Sequence, residues 1–247
     1  MKRFILMVQF LTRIPLPVNV KADEEDFLQG VVYFPLVGLL IGMFIVSFYY
    51  MGDHLGGTFL AAVMAVTIEV LITGGLHLDG LGDTFDGIYS NRPKDRVLEI
   101  MKDSRLGTNG ALGIFMTILL KIAFIYSMDR PMVYGVLLLM PVFSRLCLVY
   151  GSRFSVYARD SGMGNLYIGK VNNLHLAITV VLTVLISLVN LWALPFLLIG
   201  YLFSIFYIKH ITDKIGGMTG DTLGALCELS EIVYLLYFLI LFYLKRG

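Results

Sequence analysis

The sequence has little charge and few cysteines. Charged residues make up 15% of its 247 residues and hydrophobic residues 57%, whereas soluble domains are about 25% charged. Cys147 and Cys227 stand far apart in apolar stretches, without metal-site spacing, so we assign both to packing. The low charge and the long apolar runs exclude a soluble globular domain and indicate an integral membrane protein with the lipid bilayer as its partner.

Seven apolar runs are long enough for spanning helices, and no repeat of fixed period is evident. They cover residues 31–51, 58–76, 110–128, 132–150, 176–192, 193–209 and 229–244. We therefore predict an all-α fold, a polytopic transmembrane helical bundle of about seven spanning helices that forms one domain over residues 1–247. The boundary between the fifth and sixth spans is uncertain, because Asn190, Trp192 and Pro195 only lightly interrupt one long apolar run.

The N-terminal run MKRFILMVQFLTRIPLP has a basic start and a short apolar core. It lacks the small-residue cleavage site of a signal peptide and breaks at Arg13 and Pro15. It therefore predicts a short helix that lies along the membrane surface or packs under the bundle.

Lysine and arginine are distributed asymmetrically between the predicted loops. With the N-terminus inside, the cytoplasmic segments hold Lys2, Arg3, Arg13, Lys21, Arg92, Lys94, Arg96, Lys102, Arg105, Arg153, Arg159, Lys170, Lys209 and Lys214. The opposite loops hold only Arg130, so the positive-inside rule places segments 77–109, 151–175 and 210–228 on the cytoplasmic face. Lys245 and Arg246 are an exception, since an odd number of spans places them outside.

This orientation has a functional consequence. Every polar, glycine-rich segment falls on one membrane face, as in an enzyme with cytosolic anionic substrates. A transporter instead places polar groups near the bilayer midplane, often on broken helices. We therefore predict an inner-membrane, multi-pass enzyme whose active site faces the cytoplasm, with no nucleic-acid partner; a homo-oligomer is left open.

An acidic stripe stands at the start of the first of these segments. Asp79, Asp83 and Asp86 lie at i, i+4 and i+7, so a helix places three carboxylates on one face. Hard cations such as Mg²⁺ take one or two carboxylates together with substrate phosphates. We predict these three as metal ligands, with room for a ligand to approach the backbone at Gly80, Gly82 and Gly87. A solvated acidic helix end is the alternative.

A histidine and a basic segment accompany the stripe. His77 is either a structural residue or a general base or phosphate contact. Residues 99–113 read EIMKDSRLGTNGALG and precede an apolar helix, which is typical of an anion site; the alternative is that its cations are membrane-surface anchors. The predicted substrate contacts here are Lys102, Asp103, Ser104, Arg105 and Asn109.

Two later segments are also polar. In residues 152–170, Tyr157 and Tyr167 are able to stack on flat rings and Asn165 and Lys170 to hydrogen-bond them, although the segment alone is typical of an ordinary polar loop.

In residues 216–231, Thr219 is positioned to cap a helix that carries Asp221, Glu228 and Glu231 on one face. Since buried acids are costly in a membrane helix, we predict that Asp221 and Glu228 complete the cation site or bind a polar substrate.

Two cations fall inside predicted spans. Arg145 lies near a cytoplasmic end, from which its guanidinium is expected to reach the membrane surface. Lys121 lies deeper and is expected to pair with an acid that the sequence does not identify.

Together these segments resemble the adenosylcobinamide-GDP ribazoletransferase family, the cobalamin synthases. The similarity runs through FLTRIPLP (10–17), YFPLVGLLIG (33–42), GGLHLDGLGDTFDG (74–87), EIMKDSRLGTNGALG (99–113), GNLYIGK (164–170) and GGMTGDTLGA (216–225). These blocks cover most of the chain in the family's order.

The resemblance implies the last assembly step of coenzyme B12. A hydroxyl of α-ribazole, or of its phosphate, attacks the diphosphate of adenosylcobinamide-GDP and releases GMP, with Mg²⁺ as cofactor. By position, Asp79, Asp83 and Asp86 become the metal acids and His77 a catalytic candidate. The segment 102–105 then lies at the phosphates, facing Asp221 and Glu228. As general base we favour Asp86 over His77.

Two rival interpretations remain. Asp83-x-x-Asp86-Gly87 fits the opening of a CDP-alcohol phosphotransferase motif, but Ile88-Tyr89-Ser90 lacks its Ala-Arg and the later acidic motif is absent; a prenyltransferase is a related option. The second rival is a non-enzymatic transporter, which acids along a path through the membrane would favour.

Overall fold

The structure, a computed structural model, describes residues 1–246, with side chains through Leu244, so the side chains of Lys245 and Arg246 lie outside the described residues. The helices are α1 (Lys2–Leu11), α2 (Glu24–Gly30), α3 (Phe34–Thr73), α4 (Leu76–Ile88), α5 (Lys94–Ile100), α6 (Thr108–Tyr126), α7 (Arg130–Arg153), α8 (Asn173–Ser187), α9 (Phe196–Ile215) and α10 (Gly220–Arg246). Within that range the β-type pairing is one isolated parallel bridge, between Tyr157 and Met218.

Helix α3 consists of two arms joined at a glycine pair. Gly56 and Gly57 have non-helical backbone angles, and Gly57 has a φ of +79°, which favours glycine. The arms pack closely, because a Cβ on Gly52 would lie 2.7 Å from the Cα of Ala61. The predicted spans 31–51 and 58–76 correspond to these arms.

Among the described residues, five helical segments are long and apolar enough to cross a membrane: Glu24–Thr73, Thr108–Tyr126, Arg130–Arg153, Leu191–Ile215 and Gly220–Leu244. Asn173–Ser187 is apolar but shorter. The prediction of an all-α, multi-pass membrane protein is confirmed. The count of about seven spans and the orientation in the membrane stay predictions.

Helix α7 occupies the centre of the bundle. Glycines of α3 make its crossing possible, because a Cβ on Gly38 or Gly42 would overlap the carbonyl oxygen of Pro141 or Leu138. Around this crossing the core is filled by buried apolar side chains of α3, α7, α9 and α10. The central helix therefore has neighbours on all sides and carries few lipid-facing residues.

A short N-terminal helix was predicted, and α1 confirms it. Its side chains Leu6, Met7, Val8 and Leu11 are buried against the rest of the protein. The chain then continues to the end of α3, where the amide of Arg13 donates to the Ile72 carbonyl at 2.6 Å. This contact brings the N-terminal segment to the end of the bundle where α4 begins.

Candidate active site

Helix α4 presents the three aspartates of the acidic stripe. It begins after Gly74 and Gly75, both in the left-handed conformation that ends α3 and turns the chain. Asp79 is exposed, Asp83 and Asp86 are half-buried, and His77 is among the residues on the buried side. The predicted helical stripe is therefore present.

Glycines bring α4 and α10 into backbone contact. A Cβ on Gly80 would lie 2.7 Å from the Asp221 carbonyl oxygen, and one on Gly224 would lie 3.2 Å from the His77 carbonyl oxygen. This crossing places the start of α10 beside the acidic stripe.

The expectation that glycines in α4 leave room for a ligand fails at Gly82 and Gly87, whereas Gly80 also lines a cavity. Gly80 faces α10, Gly82 faces Leu106 and Ile114, and Gly87 faces Met101 and Val97. These positions are small because other parts of the protein pack there.

Asp221 joins the aspartates of α4 and holds an arginine that the sequence analysis did not select. Arg159 Nη1 lies 2.8 Å from Asp221 Oδ2, and both side chains are largely buried. Thr219 caps α10 as predicted, since its hydroxyl oxygen accepts from the Thr222 amide at 3.2 Å and its own amide donates to Thr222 Oγ1 at 2.8 Å. The cap fixes the turn on which Asp221 sits.

Negative charge is concentrated at Asp83. Burial, followed by the charges of Asp221 and Asp79, raises the pKa of Asp83 to about 7, while Arg159 acts in the opposite direction. Like charges at this spacing repel, and a cation relieves the repulsion. The carboxylate oxygens of this group are the donors that Mg²⁺ prefers, and they fit that ion where one or two carboxylates bind it together with substrate phosphates.

Asp86 makes different contacts from its two neighbours in the stripe. Its carboxylate oxygens accept the amide hydrogens of Gly107 at 2.7 Å and of Gly110 at 2.8 Å. These amides belong to the first turn of α6, and Gly107 offers no side chain of its own to cap that helix. Asp86 therefore anchors the start of α6.

A cavity of about 260 Å³ opens beside Asp79 and Asp221. Its lining also includes His77 and Arg159, and most of its other side chains are aromatic or aliphatic. The loop after α7 contributes to one wall, held by hydrogen bonds between Ala158 N and Met218 O at 2.9 Å and between Met218 N and Val156 O at 2.8 Å. The site is a partly open, mainly apolar pocket with charged side chains in its lining.

His77 meets this cavity as a neutral side chain. Burial and the Arg145 guanidinium lower the pKa of His77 to about 3. Arg145 has only donors, so the His77 Nδ1 that lies 3.5 Å from Arg145 Nη2 is the acceptor and Nε2 carries the hydrogen. The predicted catalytic role of His77 stays a prediction.

Behind His77 lies a buried ion cluster, which we define as Glu69, Lys121, Arg145, Glu228 and Glu231. Lys121 Nζ lies 3.2 Å from Glu69 Oε2, 2.8 Å from Glu228 Oε2 and in contact with Glu231. Arg145 Nη1 lies 2.8 Å from Glu231 Oε1. The cluster confirms that Lys121 pairs with acids and places Glu228 apart from Asp221.

The expectation that Arg145 reaches the membrane surface is wrong. Its side chain is 1% exposed, because Glu231 holds the guanidinium inside the bundle. The cavity beside Glu69, Lys121 and Glu228 measures about 10 Å³, which is room for a single water at most. The space beside the cluster is therefore nearly filled by its own side chains.

The predicted phosphate segment lies on the surface next to this group. Lys102, Ser104 and Arg105 are exposed, and Arg105 Nη2 lies 2.6 Å from Asp103 Oδ2. Hydrogen bonding to Arg105 lowers the pKa of Asp103 to about 2. The segment ends at Gly107, where Asp86 ties it to α4.

Three other predicted contacts are also exposed. Asn109 borders a groove with Phe85, Asn165 lies on the loop over the cavity, and Lys170 Nζ is 3.9 Å from Glu24 Oε2. The residues lining the 260 Å³ cavity include none of these three, nor any of residues 102–105. Their assignment to substrate stays a prediction.

In the part of the chain that the structure describes, no group of three or more histidine, cysteine, aspartate or glutamate side chains is close enough together to hold a metal ion. The assignment of Asp79, Asp83 and Asp86 as ligands stays a prediction, as does Asp86 as the base.

Fold and site together define a multi-pass helical membrane protein with an acidic, arginine-containing pocket at one end of its bundle. The family model described as cobalamin-5-phosphate synthase matches residues 3–239. The chain therefore belongs to the cobalamin-5-phosphate synthase family, and the family predicted from its motifs is confirmed.

Curated relatives agree with this membership. The adenosylcobinamide-GDP ribazoletransferase of Alkaliphilus metalliredigens is 47% identical, over 98% of this chain and 96% of the relative. Proteins of the same name from Clostridioides difficile and Acetivibrio thermocellus are 44% and 39% identical, over 99% and 100% of this chain and 99% of each relative. No solved structure matches the chain.

Proposed function

We propose that this protein transfers the cobinamide-phosphate moiety of adenosylcobinamide-GDP to a hydroxyl of α-ribazole or α-ribazole 5′-phosphate. Family membership supports the reaction, and one observation carries its location. Asp79, Asp221 and Arg159 line one cavity, Asp83 feels the charges of all three, and Asp86 of the same helix ties the end of the cationic segment 102–105 to this group.

The reaction is a phosphoryl transfer. The acceptor hydroxyl oxygen forms a bond to the phosphorus that carries cobinamide, and the bond from that phosphorus to the bridging oxygen breaks. GMP leaves with this oxygen, and the hydroxyl proton passes to a base. Such reactions depend mainly on positioning and charge neutralisation, and Arg159, Lys102 and Arg105 are the nearby cations.

We propose Mg²⁺ as the cofactor, bound by Asp79 and Asp83 with Asp221 beside them. When bound, the ion supplies positive charge to the diphosphate. The mutual repulsion that raises the pKa of Asp83 supports a cation at this place. Asp86, whose carboxylate is held by two amides of α6, keeps the acidic and cationic segments adjacent.

We place the site at the cytoplasmic face of the inner membrane. The asymmetry of lysine and arginine supports this orientation. The nucleotide substrate also supports it, because adenosylcobinamide-GDP is anionic and needs an aqueous route to the site. The acids and bases of the buried ion cluster pair with one another, which gives no support to a transporter.

The test uses the full chain in lipid nanodiscs with adenosylcobinamide-GDP, α-ribazole and Mg²⁺, and measures GMP release. Asp83→Asn is expected to reduce turnover by about 100-fold or more, the loss that follows removal of one strong electrostatic contact to a transition state. Asp213→Asn is the matched control, since Asp213 is exposed and only pairs with Lys209 at 3.3 Å.

Two outcomes contradict the proposal. One is the absence of GMP release together with activity on a CDP-linked lipid. The other is wild-type turnover in Asp83→Asn.

A further inference from the structure

Phe10, Phe34 and Tyr167 line the 260 Å³ cavity and form an aromatic box in its wall. The ring of Tyr167 lies 5.8 Å from that of Phe10 and 5.9 Å from that of Phe34, measured between centroids. Leu76 and Leu148 belong to the same lining. Such a lining suits a flat ring with little polarity, because aromatic faces stack on it.

Two side chains of the cavity carry buried polar atoms without a partner. The Tyr167 hydroxyl is one; the residue is only 4% exposed. Arg159 uses Nη1 for Asp221, while its Nε and Nη2 are buried and unpaired. Since unpaired buried donors are costly, each calls for an acceptor, and a ligand in the cavity supplies it.

We propose that this cavity binds the acceptor nucleoside, with its flat, weakly polar base in the aromatic box and its sugar toward Asp79, Asp221 and Arg159. The inference rests on the proposed function and assigns the acceptor's place within it. The Tyr167 hydroxyl donates to a ring nitrogen, and the free Arg159 groups donate to sugar or phosphate oxygens. This position brings the attacking hydroxyl to the acidic stripe.

The other two parts of the substrates fit this cavity poorly. Guanine has several donors and acceptors on its edge, and the aromatic box offers it one hydroxyl, which leaves most of them unpaired. A corrinoid macrocycle is too large, since even drug-sized ligands occupy pockets of about 300–1,000 Å³. The nucleotide and corrinoid parts of the donor therefore lie outside this cavity.

The experiment measures the binding of benzimidazole riboside and of adenosylcobinamide-GDP separately, by calorimetry on the full chain in nanodiscs. Tyr167→Phe is expected to raise the Kd of the riboside about fivefold, the value of one neutral hydrogen bond. Phe34→Leu is expected to raise it about tenfold, since it removes one stacking ring. Neither changes the Kd of adenosylcobinamide-GDP more than about twofold.

Stability provides a second readout. Tyr167→Phe removes a buried hydroxyl without a partner, so the ligand-free protein is expected to unfold at the same or a higher temperature than wild type. Phe206→Leu is the matched control; Phe206 is 71% exposed on the outside of the bundle, so neither Kd should change.

The outcomes separate the subsite from the reaction. The proposed subsite is wrong if riboside binding is unchanged in Tyr167→Phe and Phe34→Leu, or if both variants bind adenosylcobinamide-GDP more weakly. In that case, GMP release by the wild-type protein still supports the proposed reaction. Riboside binding that depends on both residues supports the subsite even where wild type releases no GMP, a result that refutes the reaction.

Discussion

Lys121 is the residue whose removal we expect to destabilise the protein most. It touches Glu69, Glu228 and Glu231, and every member of this group is at most 7% exposed. With Arg145 the cluster has three acids and two bases, so Lys121→Met leaves three acids and one base. Removing one partner of a buried ion pair costs about 3–5 kcal/mol, and we expect a loss in that range.

The assay is reversible unfolding in mixed micelles, followed by helix content. Lys170→Met is the control; Lys170 is partly exposed and 3.9 Å from Glu24, so its loss should change the free energy of unfolding by less than about 0.5 kcal/mol. Adding Glu228→Gln to Lys121→Met removes one uncompensated charge and should recover about 1 kcal/mol or more. A loss below about 1 kcal/mol in Lys121→Met, or a double variant no more stable than the single one, refutes the reasoning.

Three further predictions concern the contacts around the acidic stripe. Gly80→Ala should lower the free energy of unfolding by about 1–3 kcal/mol and reduce GMP release, because the new Cβ would lie 2.7 Å from the Asp221 carbonyl oxygen. Gly220→Ala is the control: the nearest atom to its new Cβ is 3.7 Å away, so the free energy of unfolding should not change. Asp86→Ala should cost about 2 kcal/mol by freeing the amides of Gly107 and Gly110, and Asp86→Asn about half as much. If Asp86 is the base, the stable Asp86→Asn protein loses GMP release, and retained turnover refutes that assignment. Thr219→Ala should cost about 1 kcal/mol through loss of the α10 cap, with Thr219→Ser close to wild type in thermal unfolding.

Hydropathy was sufficient to predict most of the helices. The spans predicted at 110–128 and 132–150 match α6 and α7, because each is a long apolar run with a single charged residue, Lys121 in the first and Arg145 in the second. The last span was predicted from 229, whereas α10 begins at Gly220. Its first turns carry Asp221 and Glu228, and such charges end a hydropathy window although they do not end a helix.

Pairings between distant helices were beyond the sequence. The need of Lys121 for an acid followed from its depth, but the choice of Glu69, Glu228 and Glu231 depends on how α3, α6 and α10 cross. Arg145 was misplaced for the same reason. Because Arg145 lies near the end of a predicted span, its guanidinium was expected at the membrane surface. Its ion pair with Glu231 shows that the side chain instead turns into the bundle.

Of the aromatic residues that line the site, Tyr167 was considered for stacking on flat rings, but Phe10 and Phe34 had no assigned role. Phe10 begins FLTRIPLP and Phe34 is the second residue of YFPLVGLLIG, two blocks that carry the family resemblance. Arg159 was counted only as a cytoplasmic cation. Polar clusters stand out along a single sequence. The aromatic walls of this pocket do not, because they come from α1, α3 and the loop after α7, which are far apart along the chain.

The buried ion cluster also has a consequence for how the protein is made. Lys121 is synthesised 107 residues before Glu228, and Arg145 likewise enters the bilayer before the acids of α10 exist. Each uncompensated charge costs about 2.5–3.5 kcal/mol at the centre of a membrane helix. Before α10 is made, Lys121 therefore has Glu69 of α3 as its one acid of the cluster, and Arg145 lacks Glu231. A chain truncated before α10 keeps both cations with that single acid, so we expect α6 and α7 to pack stably only after the last helix has been inserted.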